Sequence, residues 1–263
     1  MASEYRSKAG CPTMTDFSNK VVAITGAASG MGEATARQFA ASGATVVLID
    51  RDLDGVARVA SELDGSSTFA GDVSDSAFCT LAIDGAVAAH GQLDVLVNAA
   101  GTIHRADALG TSDADFERVM SVNVNGMFYL SREAVRHMSA AGSGVIVNFG
   151  SIWGGVASAG STAYCVSKGA VHQLTRAMAL DHVEQGIRVN AVAPGEVRTP
   201  MLSSERSTPP SEADLQSMAN ATIPMKRLAE PREIANVVLF LASDEASYMT
   251  GEIVHVDAGY TAR

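Results

Sequence analysis

The segment from Lys20 to Gly32 constrains the fold more than any other part of the chain. It reads K-V-V-A-I-T-G-A-A-S-G-M-G, an apolar run that passes directly into a glycine-rich turn. A short uninterrupted apolar run is typical of a strand that is buried on both faces. The pattern E-A-T-A-R-Q-F-A-A-S-G that follows predicts a helix ending at Gly43. The segment therefore predicts a buried strand, a tight turn and a helix in immediate succession.

The same order of strand and helix continues to the C-terminus. Strand-like runs are T-V-V-L-I-D, a short stretch ending at Asp72, L-D-V-L-V-N, G-V-I-V-N-F-G, I-R-V-N-A-V-A-P-G and E-I-V-H-V-D-A-G, with helical patterns between them. One helical pattern covers 113–138, and another carries Tyr164 and Lys168. Repeated β-α-β units with buried strands predict an α/β fold with a doubly wound parallel sheet and helices on both of its faces.

The sequence divides into a tail, one domain and an unusual connection inside that domain. Residues 1–17 are small and polar and predict a flexible N-terminal tail, which leaves 18–263 as a single catalytic domain. The stretch 196–229 is long for a connection and rich in Ser, Thr, Pro and Met. Loops of this length in compact domains often act as lids or binding segments. We therefore expect 196–229 to be an irregular segment that covers a substrate.

Composition excludes several classes of partner. The net charge of −10 disfavours a nucleic-acid partner, because a phosphate backbone would be repelled. No segment approaches the roughly 18 consecutive apolar residues of a membrane span. The three cysteines are widely spaced and form no metal-binding pair, which predicts a reducing, cytoplasmic location and no metal site.

The glycine turn is suited to binding a phosphorylated cofactor. Gly26, Gly30 and Gly32 allow tight turning and close approach of a pyrophosphate to the backbone, and the following helix offers free N–H groups to the anion. Asp50 ends the second strand, where a carboxylate accepts hydrogen bonds from ribose hydroxyls and repels a 2′-phosphate. An alternative is that Asp50 caps the next helix, and Arg51 could grip a 2′-phosphate. We predict NAD as the cofactor.

Tyr164 and Lys168 form the motif Y-C-V-S-K and lie one helical turn apart. Free tyrosine titrates near about 10, and a fixed cation nearby lowers that value. A base that works near neutral pH is what alcohol oxidation requires, because the hydroxyl proton must leave. The alternative for such a pair is an exposed helix face with a solvated lysine.

Taken together, these motifs resemble the short-chain dehydrogenase/reductase family over about Lys20 to Gly259. The residues that carry the resemblance are T-G-A-A-S-G-M-G at 25–32, Asp72-Val73, N-A-A-G at 98–101, Asn123, Ser151, Tyr164 with Lys168, and Pro194-Gly195 followed by Thr199. The resemblance implies a single-domain Rossmann fold with a seven-stranded sheet, and an NAD-dependent enzyme that interconverts a secondary alcohol and a ketone. It also implies a homotetramer, which the apolar residues of two long helices support: Met127, Phe128, Leu130, Leu174 and Met178.

The resemblance also implies a role for each of these residues. Tyr164 would be the acid/base, Lys168 would bind the nicotinamide ribose and lower the pKa of the tyrosine, Ser151 would hold the substrate oxygen, and Asn123 would anchor a water. The predicted cofactor-binding residues are Gly26, Ser29, Gly30, Met31, Gly32, Asp50, Arg51, Asp72, Val73, Asn98, Ala99, Ala100, Gly101, Tyr164, Lys168, Pro194, Gly195, Val197 and Thr199.

The predicted substrate contacts, besides Ser151 and Tyr164, are Trp153, Glu196, His104 and Arg105. Three of these four are polar or charged, which favours a small polar substrate such as a polyol, a sugar derivative or a hydroxy acid. An NADP-dependent reductase of the 3-ketoacyl type or of cyclic or aryl alcohols is the alternative within the family. A sensor that binds a dinucleotide without catalysis is the alternative from another class.

Overall fold

The seven strands are short, apolar and all parallel. The computed structural model describes residues 16–262, and the sheet within them has the order β3-β2-β1-β4-β5-β6-β7. The strands are β1 (Val21–Thr25), β2 (Thr45–Asp50), β3 (Ser67–Ala70), β4 (Val95–Asn98), β5 (Gly144–Phe149), β6 (Ile187–Pro194) and β7 (Ile253–Val256). The doubly wound fold and the seven-stranded parallel sheet predicted from sequence are confirmed.

Eight α-helices lie against the sheet or beside it within 16–262. They are α1 (Gly30–Ala41), α2 (Leu53–Ala60), α3 (Ser76–His90), α4 (Asp113–Met120), α5 (Met127–Ala141), α6 (Thr162–His182), α7 (Glu212–Thr222) and α8 (Pro231–Ala242). Alternate residues of β1 face opposite layers: Val22 and Ile24 pack in the core with α1 and α8, whereas Val21 and Ala23 pack in the core with α3, α5 and α6. Both faces of the sheet are thus buried, which explains the continuous apolar runs of its strands.

The reversal of strand order lies between β1 and β4, which are neighbours in the sheet. β1 continues to β2 on one side, and β4 continues to β5 on the other. In open parallel sheets, a crevice forms outside the carboxyl ends of the strands at such a point. Each motif singled out in the sequence follows the carboxyl end of a strand or lies on a helix beside this crevice.

The predicted helix over 113–138 is interrupted in its middle. α4 passes into a π-helical segment, Ser121–Gly126, before α5 begins, and Asn123 lies within that segment. A Cβ atom at Gly126 would lie 2.7 Å from the carbonyl oxygen of Val73, so only glycine fits this close approach. π-helical segments often occur at functional sites.

The predicted flexible tail, residues 1–17, mostly lies outside the described residues. The prediction is wrong for Phe17, the last residue of this tail. Its side chain is buried and packs edge-on against Phe39, with 4.8 Å between ring centroids. The backbone N–H of Phe17 donates to the carbonyl of Ser42. The packed domain therefore already includes Phe17.

The segment 196–229 is more regular than the sequence predicted. It contains α7, which begins with a capping box between Ser211 and Asp214, and a short 3₁₀ turn over Pro200–Leu202. Residues of α7 and of the chain that follows it form a small hydrophobic cluster: Leu215, Ala219, Ile223 and Leu228. Within 16–262, no helix combines the length and apolarity needed to cross a bilayer.

Candidate active site

The glycine turn after β1 is built for close approach of a ligand to the backbone. Gly26 and Gly30 have φ values of +67° and +58°, in the left-handed region that favours glycine. A Cβ atom at Gly26 would lie 2.9 Å from the backbone nitrogen of Ala100, and one at Gly32 would collide with the carbonyl oxygen of Gly26. Ser29 precedes α1 but makes no side-chain capping bond, so the first N–H groups of α1 stay available to an anion.

A cavity of about 320 Å³ opens beside this turn, and we call it the glycine-side cavity. Its volume, its glycine cradle and the free N–H groups of α1 fit a bound nicotinamide dinucleotide. Most predicted cofactor residues line it: Gly26, Ser29, Gly30, Met31, Gly32, Asp50, Arg51, Asp72, Val73, Ala99, Ala100, Gly101 and Thr199.

Asp50 supports the glycine turn as well as lining the cavity. Its Oδ2 accepts from the backbone N–H of Ala28 at 3.0 Å, and its Oδ1 accepts from that of Asp52 at 3.1 Å. The alternative that Asp50 caps α2 is wrong, because Asp52 is the N-cap and accepts from Gly55 at 3.0 Å. Asp50 therefore presents its negative charge to the cavity from a fixed position.

Asn98 and Lys168 are predicted cofactor residues that line neither cavity, and the side chain of Asn98 lies in the core. It is buried, and its Nδ2 donates to Ser131 Oγ and to Asn148 Oδ1, both at 2.9 Å. Asn148 in turn donates to Thr175 Oγ1 at 3.0 Å. The prediction that Asn98 lines the cleft is wrong for its side chain, because side chains at the end of a buried strand alternate between layers. Ala99, Ala100 and Gly101 do line the cavity.

Tyr164, Lys168 and Ser151 meet at the carboxyl end of β5. The Nζ atom of Lys168 donates to the carbonyl of Phe149 at 2.7 Å and lies 5.6 Å from the centroid of the Tyr164 ring. All three side chains are buried. The alternative of a solvated helix face with an exposed lysine is therefore wrong.

Burial dominates the protonation of this pair. It raises the pKa of Tyr164 to about 12, and a hydrogen bond with the Ser151 side chain lowers that pKa by less. Burial also lowers the pKa of Lys168 to about 8. The predicted lowering of the tyrosine pKa by Lys168 is not seen in this structure, because burial raises that pKa and Lys168 is not among the groups that shift it most. The Lys168 ammonium donates a hydrogen bond to the Phe149 carbonyl. Burial leaves the Tyr164 phenol with little contact with water.

Asn123 ties the π-helical segment to the loop after β4. Its Oδ1 accepts from the backbone N–H of Thr102 at 2.8 Å, and its Nδ2 donates to the carbonyl of Thr102 at 2.8 Å and to Ser167 Oγ at 2.9 Å. A Cβ atom at Gly101 would lie 3.4 Å from Asn123 Oδ1 and 3.7 Å from Lys168 Nζ. The structure thus brings Asn123 and Lys168 to the same loop. The role of Asn123 in anchoring a water stays a prediction.

A second cavity, of about 360 Å³, has Tyr164 in its wall, and we call it the Glu196-side cavity. The Trp153 ring meets the Tyr164 ring edge-on at 5.9 Å between centroids, and the Trp153 Nε1 is buried without a partner in the described structure. The predicted residues that line this cavity are Met31, Arg105, Ser151, Trp153, Tyr164, Pro194, Gly195, Glu196, Val197 and Thr199. Met31 and Thr199 line both cavities.

His104 does not line the Glu196-side cavity, so its prediction as a substrate contact is wrong. Its Nδ1 instead contacts Glu205 Oε2 at 2.9 Å. The other carboxylate oxygen of Glu205 accepts from Arg118 Nη2 at 2.6 Å. Arg105 adds hydrogen bonds of 3.1 Å to the carbonyls of Met201 and Ser204. These contacts hold the segment 201–205 against the loop after β4.

Sequence reasoning missed His172, Glu205 and Arg206. His172 follows Lys168 by one turn of α6 and is buried, and a Cβ atom at Gly150 would lie 2.5 Å from its Nε2. Burial lowers the pKa of His172 to about 4. Its spacing of four from Lys168 was a readable signal. Glu205 and Arg206, in a loop, offered no such periodicity.

Comparison with known proteins agrees with this geometry. A family profile described as enoyl-(acyl carrier protein) reductase matches residues 26–261. Galactitol 2-dehydrogenase (L-tagatose-forming) of Cereibacter sphaeroides is 46% identical over 91% of this chain and 94% of its own length. Meso-2,3-butanediol dehydrogenase of Serratia marcescens is 42% identical over 94% of this chain and 96% of its own. Cis-4-hydroxycyclohexanecarboxylate dehydrogenase of Sinomonas cyclohexanicum is also 42% identical, over 94% and 98%.

Solved structures share the whole architecture. The 3-ketoacyl-(acyl-carrier-protein) reductase of Brucella melitensis, complexed with NADH, superposes with a TM-score of 0.87 at 34% identity, covering 94% of this chain and 100% of that one. Levodione reductase gives a TM-score of 0.89 at 33% identity, over 94% and 99%. With its glycine turn, its buried tyrosine and lysine and these relatives, the chain belongs to the short-chain dehydrogenase/reductase family, oxidoreductases that use a nicotinamide dinucleotide to interconvert alcohols and ketones.

Proposed function

We propose that the chain is an NAD-dependent dehydrogenase that interconverts a small, polar secondary alcohol and its ketone. The observation that carries the proposal is the buried phenol of Tyr164, which lies with Ser151 in the wall of the Glu196-side cavity and beside the buried Lys168. This cavity shares Met31 and Thr199 with the glycine-side cavity. One cavity has the backbone cradle for a dinucleotide, and the other has room for a small substrate. A sensor that binds a dinucleotide without catalysis would not need Ser151, Tyr164 and Lys168 together. The presence of all three therefore favours an enzyme over such a sensor.

Ser151, Tyr164 and Lys168 have different roles at the reacting oxygen atom of the substrate. When bound, the nicotinamide dinucleotide supplies the redox chemistry. Ser151 holds the substrate oxygen, and Tyr164 exchanges the proton of that oxygen. Because burial raises the pKa of Tyr164 to about 12, the phenol is protonated at neutral pH and is ready to protonate a ketone oxygen. In the direction of alcohol oxidation, the phenol must first release its proton to solvent, and the cation of Lys168 stabilises the phenolate that then takes up the proton of the alcohol.

Asp50 supports the choice of NAD. Its carboxylate is fixed at the glycine-side cavity by two backbone donors, so it cannot easily turn away from a 2′-phosphate. Arg51 lines the same cavity, is exposed, and has no ion-pair partner among residues 16–262. A mobile exposed cation is screened by solvent more than a fixed carboxylate is. We therefore give Asp50 the greater weight.

The names of the relatives support a polar substrate. Galactitol and 2,3-butanediol carry several hydroxyl groups, and hydroxycyclohexanecarboxylate carries a hydroxyl and a carboxylate. In this chain, Glu196 and Arg105 supply charged groups to an otherwise mainly apolar cavity. A site with such groups disfavours substrates that leave them unpaired.

The test is an absorbance assay with NAD and, separately, with NADP, against galactitol, meso-2,3-butanediol, hydroxy acids and hydrophobic cyclic alcohols. We expect turnover of the polar alcohols with NAD. Equal efficiency with both cofactors would overturn the cofactor assignment, and a preference for cyclic or aryl alcohols would support the alternative reductase. No turnover with any of these, together with tight NADH binding, would support the sensor.

Assembly as a homotetramer stays a proposal, but most of the residues that support it in the sequence lie in the chain's own core. Met127, Leu130 and Met178, three of the residues cited for it, are buried within the chain's own core, and Leu174 packs there too. Phe128 is 40% exposed. Other exposed apolar side chains on α4 and α6 are available to a second copy: Phe116, Val166 and Leu180. Light scattering at micromolar concentration tests this, and a monomeric mass would exclude it.

A further inference from the structure

The Glu196-side cavity has mainly apolar walls and four charged side chains. The apolar residues that line it are Met31, Ile103, Ile152, Trp153, Val197, Met201, Leu202, Leu215 and Met218. The charged residues are Arg105, Glu196, Arg206 and Asp214. Because a charged group at a mainly apolar surface is costly unless it is paired, each of the four needs a partner.

Three of these charged side chains already have partners in the protein. Arg105 and Arg206 both donate to backbone carbonyls within 201–204. Asp214 accepts from the backbone N–H and the hydroxyl of Ser211, at 2.9 and 2.6 Å, and so completes the cap of α7. Each of these contacts fixes the segment that covers the cavity. Their role in holding that segment is sufficient to explain them.

Glu196 differs from the other three. Within 16–262, its carboxylate accepts no hydrogen bond, and no cation lies within the 4.0 Å of an ion pair. Burial raises the pKa of its carboxyl group, and the charges of Arg105 and Arg206 oppose that rise. Glu196 is half-buried in the wall of the cavity, and its carboxylate receives no hydrogen-bond donor from the chain. The carboxylate is therefore available to a donor that enters the cavity.

The backbone that carries Glu196 is held firmly. Its carbonyl accepts from the N–H of Ala229 at 3.0 Å, and the N–H of Gly195 donates to Val256 at 3.0 Å. Val197 forms a parallel bridge with Ala229. Glu196 thus extends from the end of β6 on an anchored support. These contacts fix the backbone from which the Glu196 side chain reaches the cavity, and no donor of the chain lies within hydrogen-bond distance of its carboxylate.

The electrostatic surroundings select the kind of donor. The positive charges of Arg105 and Arg206 act on the same carboxylate, so a substrate ammonium group would be repelled by two cations as it approached. A substrate carboxylate would in turn be repelled by Glu196 itself. A neutral hydroxyl donates to the carboxylate without either penalty.

We infer that Glu196 accepts a hydrogen bond from a second hydroxyl of the substrate, and that the substrate is therefore a neutral diol or polyol. The reacting hydroxyl cannot serve, because Ser151 and Tyr164 engage it. This inference rests on the proposed function and narrows its substrate class. Glu196 is then a specificity-determining residue, which separates diols from simple alcohols of the same carbon skeleton.

The test compares pairs of substrates that differ by one hydroxyl. The pairs are meso-2,3-butanediol with 2-butanol, 2,4-pentanediol with 2-pentanol, and cis-1,2-cyclohexanediol with cyclohexanol. For each pair, the readout is the ratio of kcat/KM for the diol to kcat/KM for the simple alcohol. A general loss of activity in a variant cancels in this ratio. For the wild type we expect a ratio of roughly 10 to 150 for at least one pair, the range for a hydrogen bond to a charged group.

Two substitutions of Glu196 and one control complete the experiment. Glu196→Leu removes the acceptor and should bring the ratio to within about threefold of one, because no partner is left for the second hydroxyl. Glu196→Gln retains an amide oxygen and should give an intermediate ratio. Met218→Leu lines the same cavity without a polar group, and it should leave the ratio unchanged even if both rates fall. NADH binding shows whether each variant is folded.

The outcomes separate the two claims. Wild-type turnover of the simple alcohols as efficiently as the diols would overturn the role of Glu196 while leaving the proposed function standing. An unchanged ratio in Glu196→Leu would do the same. A preference for 3-hydroxybutyrate over every diol would overturn the neutral substrate class. If no substrate is turned over with either cofactor, the proposed function fails and the inference falls with it.

Discussion

The two cavities, which share Met31 and Thr199, are built from different elements of the chain. The glycine-side cavity is shaped mainly by the turn after β1, the first turn of α1 and the loop after β4, although Arg118 and four residues of the segment 196–229 also line it: Thr199, Pro200, Met201 and Ser204. The Glu196-side cavity is closed by the segment 196–229, which side chains such as Arg105 and Glu205 hold in place. A shape made by backbone inside a sheet is rigid, whereas one held by partly exposed side chains depends on contacts worth little individually. We therefore expect the two cavities to respond differently to mutation.

The largest effect is expected at Tyr164, in the wall of the Glu196-side cavity. Tyr164→Phe removes the proton carrier and almost no volume, so turnover should fall by about 10²–10⁴-fold or more. Binding of NADH, followed by its fluorescence, should change by less than about threefold, because the glycine cradle is untouched. A variant that retains a substantial fraction of wild-type turnover would show that another group transfers the proton.

Lys168→Met should lower the turnover rate and weaken the binding of cofactor, and it also has a distinct signature in stability. The pKa of Lys168 is lowered from 10.5 to about 8 in the folded chain. Between those two values the unfolded chain binds more protons, so the contribution of Lys168 to wild-type stability rises with pH across this window. The variant lacks this titration. Its free energy of unfolding relative to wild type should be highest near pH 7 and should fall by up to about 3 kcal/mol toward pH 10.5.

Urea denaturation of both proteins at several pH values between 7 and 10.5 measures that difference. The comparison with wild type removes the titration of every other group. A difference in stability that does not change with pH would contradict the assignment of Lys168 as a buried cation.

A smaller effect is expected from Asp50→Asn, which tests the backbone-built cavity. Asparagine keeps one oxygen for the Ala28 or Asp52 N–H but removes the charge. The preference for NAD over NADP should narrow by about tenfold, since one like charge near the 2′-phosphate is lost. Arg51→Ala is the matched control: it should lower the efficiency with NADP and leave that with NAD nearly constant. If Arg51→Ala instead reduces the use of NAD, the roles of the two residues are reversed.

The smallest effect is expected from Glu205→Gln, which tests the side-chain-built cavity. The pair between Glu205 and Arg118 is partly exposed, with 31% and 40% of the side chains accessible, so its loss should cost at most about 1 kcal/mol. We expect a rise in KM of up to about fivefold with little change in kcat. Hydrogen exchange should become faster over 199–210.

Salt provides the internal control for this prediction, because it screens the same exposed charges in the wild type. Raising ionic strength should therefore shift the wild type toward the variant and should change the variant less. Equal salt dependence of the two proteins would show that Glu205 does not hold the segment.

The sequence was informative wherever the signal was local. The apolar run before Gly26 and the spacing of Tyr164 and Lys168 each lie within a few residues, and strands and helices impose their period on such stretches. His104 was placed wrongly because its partner, Glu205, is 101 residues away and lies in a loop without periodicity. The pKa of Tyr164 was not readable either, because it is raised mainly by burial within the whole fold, which a local motif does not reveal.

Some predictions concern properties that one folded chain does not display. The cytoplasmic location and the tetramer remain predictions, as do the individual roles of the site residues. The segment 196–229 lies over the Glu196-side cavity, and whether it closes as a lid is a question for the exchange experiment on Glu205→Gln.

The buried chain of Asn98, Asn148, Ser131 and Thr175 has a consequence for how the sheet assembles. Asn98 and Asn148 are direct partners in the register of β4 and β5, and their side chains connect onward to α5 and α6. A slip of one residue between these strands would leave amide groups stranded in an apolar layer. The four polar side chains therefore favour the correct register of β4 and β5 during folding. Substitutions at these four positions should occur together in related sequences. Replacing one of the four alone would leave its neighbour without a hydrogen-bond partner.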